Sequence, residues 1–163
     1  MRGIAVACAV SLAVGLMSGG IASATEPPGH PAIATESKSG AHYQDVREDL
    51  LMAIAAQGFV VGAIGDLGMM LSRSAADLGR QPVYLHAEYL NFCPTSLAHA
   101  LAAADPANLA YCPFQMVIYE TVATPSTIVV GYRHPGAHGN AATRAILADA
   151  ERVFAGIAKS AVK

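Results

Sequence analysis

Phe114 to Tyr132 reads FQMVIYETVATPSTIVVGY. Two apolar runs rich in β-branched residues, Phe114 to Val122 and Thr127 to Tyr132, flank Ala123-Thr124-Pro125-Ser126. Runs of that kind are strands, and a short connection with turn residues joins them as a hairpin. Such a connection is antiparallel, because a parallel pair needs a crossover of a dozen or more residues. Upstream, Val83 to Phe92 (VYLHAEYLNF) is a further strand, closed by Cys93-Pro94. Its alternation puts Val83, Leu85, Ala87 and Tyr89 on one face, and Tyr84, His86, Glu88, Leu90 and Phe92 on the other.

Helices fill the intervals. Thr95 to Ala104 is Ala-rich, with Thr95 as its expected cap, and Asp105-Pro106 breaks it. Asp45 and Glu48 have capping-box spacing, and Val46, Leu50 and Ile54 repeat every four residues to about Gln57, where Gly58 stops the helix. Phe59 to Ile64 (FVVGAI) is expected as a buried strand, and Met69 to Leu78 as a short helix. Asn140 caps a long helix to about Ala161, striped by Ile146, Leu147, Ala150, Val153, Phe154, Ile157 and Ala158. The fold class is α+β: a mainly antiparallel sheet, helices on one face and a long C-terminal helix.

The chain has 163 residues, of which 53% are hydrophobic and 13% charged. That composition is opposite to a disordered chain. With a formal charge of -2, no basic patch announces a nucleic-acid binder. Three cysteines are too few for a disulfide-dense scaffold.

Arg2, the apolar run Ile4 to Met17 and the small-residue site Ala22-Ser23-Ala24 follow the order of a secretory signal peptide. Cleavage after Ala24 makes the protein periplasmic or secreted, with no membrane span left. Residues 25–42 carry Pro, Gly and Ser without hydrophobic period, and are expected as a flexible leader outside the core. Residues 43–163 form one domain. His30 and His42 flank the leader and are expected in solvent.

Cys93 and Cys112 are the cysteines left after cleavage, each just before a proline at a strand end. An oxidising compartment favours a disulfide between them. Free buried thiols, or a reactive or metal-binding pair, are the alternatives, although C-x-x-C spacing is missing. His86 and Glu88 share a strand face with Tyr84 beside them. A His and a carboxylate on a rigid strand suit a metal or acid–base work, and equally a polar surface stripe. Met69-Met70 offers soft sulfurs for copper or haem iron, although helical methionines usually fill core. His99, His134 and His138 have no ligand spacing. The signatures G-x-S-x-G, H-E-x-x-H and the Walker and dinucleotide loops are absent.

The order Tyr43, Val46, Leu50, Gly58-Phe59, Met70-Leu71 and Arg73 continues through Phe92-Cys93-Pro94, Asp105-Pro106-Ala107-Asn108 and Cys112-Pro113-Phe114 to Tyr119-Glu120 and Gly131-Tyr132-Arg133. From Tyr43 to Pro135 this resembles the exported branch of the domain of unknown function 302 (DUF 302) family. The resemblance implies a small α+β domain, often a homodimer, and transfers no catalytic residue. The leader and the C-terminal helix lie outside the matched stretch. The expected function is an exported binding or accessory protein acting as a homodimer. Two other classes stay open: a metal or haem binder using His86, Met69, Met70 and the cysteines, and an enzyme built around His86 and Glu88.

Overall fold

The computed structural model describes residues 32–163. The expected signal segment, the start of the leader and His30 lie outside the described residues. Five strands, β1 (Ile33–Ser39), β2 (Val61–Asp66), β3 (Tyr84–Phe92), β4 (Phe114–Thr121) and β5 (Thr124–Arg133), form one antiparallel sheet in the order β1-β5-β4-β3-β2. The helices are α1 (Tyr43–Ala56), α2 (Leu67–Ala75), α3 (Thr95–Ala104) and α4 (Ala141–Ala161), with a 3-10 helix over Pro106–Tyr111.

The core lies between one sheet face and the helices α1 and α4, which pack side by side. Met116 and Ile118 of β4, Ile128 and Val130 of β5, and Leu90 and Phe92 of β3 point into it. From α1 come Val46, Leu50 and Ile54, and from α4 Leu147, Phe154 and Ile157. Each aliphatic side chain buried in this way stabilises the fold by about 1.5–3 kcal/mol. The helical and strand periods read from the sequence meet in this layer. Gly58, at φ 74°, ends α1 as expected, its amide bonding the Ala55 carbonyl. Asn140 accepts the Thr143 amide at 2.8 Å and caps α4.

Several expectations are corrected. The leader is not outside the fold over its whole length: residues 33–39 pair with β5 as an edge strand, and Gly131 permits the approach. A Cβ at that position would lie 3.0 Å from the Ala34 carbonyl oxygen. Phe59 to Ile64 is not a buried strand. The strand begins at Val61, runs along the opposite edge and is largely exposed. The hairpin turn is tighter than expected, with Thr121 opposite Thr124 and the two hydroxyls 2.8 Å apart. Ser126, at φ 59°, is therefore inside β5, where its amide donates to Glu120 at 2.7 Å. α1 starts at Tyr43, so Asp45 sits in its first turn, and His42 occupies the cap without a side-chain bond. Pro94 takes the cap position expected for Thr95.

Candidate functional site

The polar residues of the helix-covered face gather at one end of β3. Asp66, the last residue of β2, is directly opposite Glu88 of β3. Both therefore stand on the side that carries Leu90 and Phe92. Tyr43 and Arg47 are one turn apart on α1, the spacing that aligns side chains along a helix. Arg47 Nε donates to Glu88 Oε2 at 2.6 Å. The Tyr43 ring stacks on His86, with centroids 4.6 Å apart and planes at 28°. Asp66 accepts the Met69 amide at 2.7 Å, which starts α2 beside the cluster. A cleft of about 400 Å³ results, bounded by Tyr43, Asp66, Met69, Ser72, His86 and Glu88.

Tyr43 is only 6% exposed, and its hydroxyl is buried without a hydrogen-bond partner. A buried donor left unpaired costs about 1–3 kcal/mol. Burial, and then the Glu88 carboxylate, hold the Tyr43 proton well above the usual phenol range. Tyr132 is shifted the same way by burial and by its bond to Glu151, at 2.6 Å. Phenols of the unfolded chain ionise near pH 10. The stability carried by both groups is thus present below about pH 10 and is lost as pH rises through the folded-state values. Unfolding at alkaline pH is expected to coincide with tyrosinate absorbance at the two sites. Tyr43→Phe and Tyr132→Phe should each flatten that decline.

The cleft unites His86, Glu88 and Met69 from the sequence reading. Tyr84 is placed differently. The register shifts between Tyr84 and His86, so Tyr84 opposes Thr121 while His86 opposes Glu120. The Tyr84 ring packs edge-on against Tyr119, on the other sheet face from His86, although Tyr84 still borders the cleft rim. Bulges of this kind re-aim side chains beside sites. Met70 is exposed on α2 and does not line the cleft. Cys93 and Cys112 are joined sulfur to sulfur at the far end of β3, with Cα atoms 5.5 Å apart. His99, His42 and His138 are exposed. His134 Nδ1 lies 2.8 Å from Glu151. Among the described residues, no three His, Cys, Asp or Glu side chains are grouped to hold a metal ion.

Sequence reading gave Tyr43 no part in a site and did not single out Arg47 or Asp66. The four-residue step from Tyr43 to Arg47, in register with the Val46–Leu50 stripe, was the signal available for the first two.

Residues 33–161 match the family described as Domain of unknown function DUF302. The chain belongs to this family. The DUF302 match takes in β1 and α4, beyond the stretch from Tyr43 to Pro135 that the motifs delimit. The chain is also similar in fold to the crystal structure of an uncharacterized conserved protein DUF302 from Bacillus stearothermophilus. The identity is 18% and the TM-score 0.65, over 81% of this chain and 98% of that one. No curated protein matches the chain. Among the described residues, no helix is long and apolar enough to cross a membrane.

Proposed function

We propose that this DUF302 domain is an exported small-molecule-binding protein whose ligand sits in the cleft between α1, α2 and β3. The observation that carries the proposal is the unpaired Tyr43 hydroxyl beneath a cleft edged by Asp66, His86 and Glu88. Buried polar groups are almost always satisfied, and the exceptions call for an explanation. A ligand whose polar group reaches Tyr43 gives the hydroxyl a partner. The cleft volume of about 400 Å³ falls within the range of small-molecule sites, about 300–1,000 Å³.

Tyr43→Phe tests this. Free of ligand, the variant should be as stable as the parent, or more stable by up to about 2 kcal/mol, because it sheds an unpaired donor. Fragments that shift the Gln44, Asp66 and His86 amide resonances of the parent should bind the variant more weakly. A variant clearly less stable than the parent would show that the hydroxyl has a partner, and the proposal would fall.

The export and dimer parts of the proposal stand on other grounds. Export rests on the order of Arg2, the apolar run and Ala22-Ser23-Ala24, and an exported protein starting at Thr25 is its direct check. A homodimer is supported by the sheet face opposite α1 and α4, where Tyr89, Val117, Tyr119 and Val129 are only half-buried. Light scattering that gives a strict monomer at micromolar concentration removes it. Copper or haem binding retains two donors on the cleft, the soft Met69 thioether and the His86 imidazole. Addition of either to the purified protein, followed by absorption, tests it.

A further inference from the structure

The class of ligand follows from charge and shape, and this inference rests on the reading of the cleft as a binding site. Two carboxylates, Asp66 and Glu88, line the cleft, and Glu88 is paired with Arg47 at 2.6 Å. Among the described residues, Asp66 enters no ion pair. Met69 takes one of its oxygens through a backbone amide. The Tyr43 and His86 rings, stacked on each other, line the same cleft. Carboxylate and aromatic faces together attract a cation.

A second hollow, of about 120 Å³, adjoins the cleft and shares Gly68, Ser72 and Tyr84 with it. Leu71, Ala75, Leu78, Pro82 and Val83 make its apolar wall. Gly68 lets α2 lie close to β3, since a Cβ there would be 3.0 Å from the Ala87 amide nitrogen. Leu71, Leu78 and Val83 of the hollow and Met69 and Leu85 of the cleft are between 46% and 66% exposed. They are five of the twelve large apolar side chains exposed among the described residues. Scattered exposed leucines mean little, but a contiguous set marks a binding surface.

We infer that the cleft and the hollow together bind an amphipathic primary amine. The protonated ammonium group sits between Asp66 and the Tyr43–His86 stack, and the aliphatic chain crosses Gly68 and Ser72 into the hollow. At about 30 Å³ per water-sized group, the hollow takes about four methylenes. A carboxylate ligand would meet Asp66 with like charge, and a neutral alcohol would offer Asp66 a hydrogen bond but no opposite charge.

Amide resonances of the full exported protein, titrated with n-hexylamine, 1-hexanol, hexanoate and methylamine, test this. Hexylamine should shift Asp66, Ser72 and His86 and bind about tenfold more tightly than hexanol or hexanoate. Each methylene from propylamine upward should tighten binding about fourfold until the hollow is full. Asp66→Asn should weaken hexylamine about tenfold. Asparagine caps a helix as well as aspartate does, so α2 keeps its start. Leu78→Ser should flatten the dependence on chain length. Equal binding of hexanoate or hexanol at the same amides would overturn the charge class. Equal binding of methylamine would remove the hollow. Calcium chloride alone giving the same shifts would replace the amine with a metal ion. No shift with hexylamine overturns the inference, whereas the cleft itself stands or falls on Tyr43→Phe.

Discussion

Phe154→Ala is expected to lower the free energy of unfolding by about 3–5 kcal/mol, the range for deleting a buried aromatic side chain. Phe154 is 2% exposed at the middle of α4. Its ring meets Phe92 at 5.6 Å, edge-on, Phe114 at 5.0 Å and Tyr132 at 6.0 Å. Those partners lie on β3, β4 and β5, so one side chain ties α4 to three adjacent strands. Aromatic pairs of this geometry add about 0.5–1.5 kcal/mol each beyond burial. The strands cannot close over the vacated space, because their spacing is fixed by the backbone ladder at about 4.7–4.9 Å. A domain of this size has only about 5–15 kcal/mol in total. Urea unfolding should show a lowered midpoint at an unchanged slope. Phe154→Leu should lose about half as much. A loss under about 1 kcal/mol for the alanine variant would mean that α4 does not clamp the three strands.

The central layer was legible because it obeys two simple periods. Met116, Ile118 and Glu120 alternate on β4, and Ile146 to Ala158 stripe α4, so pattern and burial agree. The edges were not legible. β1, IATESKS, has Lys38 and Glu36 on a strand whose pairing is supplied by the β5 backbone rather than by apolar side chains. Charged edge strands of that kind protect a sheet from mispairing, and they look like loop in sequence. β2 shows the reverse error: its apolar residues suggested burial, yet its edge position leaves most of them exposed. At the site, strict alternation found His86 and Glu88. It misplaced Tyr84, because the irregularity around Leu85 adds a residue that no local pattern announces. Tyr43, Arg47 and Asp66 join the cleft only through packing of α1 and β2 against β3, which is information about contacts rather than about spacing.

Loss of the Cys93–Cys112 link is expected to cost about 3 kcal/mol. Cys93 follows β3 and Cys112 precedes β4, and the register pairs Phe92 with Phe114 beside them. Antiparallel pairing thus brings the two chain ends together, and the Cα separation of 5.5 Å lies inside the roughly 4.4–6.8 Å that a disulfide spans. The closed segment has a sequence separation of 19 and contains α3 and the 3-10 helix. Opening it returns to the unfolded chain the entropy of a loop of that length. Cys93→Ser should therefore lower the melting temperature by about 10 °C, and reduction of the parent should match it. The bridge and the cleft occupy opposite ends of β3, so the variant should keep its binding at Asp66 and His86 once folded. Intact mass of the exported protein, alkylated after denaturation with and without reductant, reports the link directly. Two thiols labelled without reductant would exclude the bridge. The segment between β3 and β4 would then be held by Leu101 in the core and by hydrogen bonds, Asn108 donating to Leu101 and Thr143 and Asn140 donating to Ala104 at 2.9 Å each, and Asn108→Ala in place of Cys93→Ser would become the variant that loosens it.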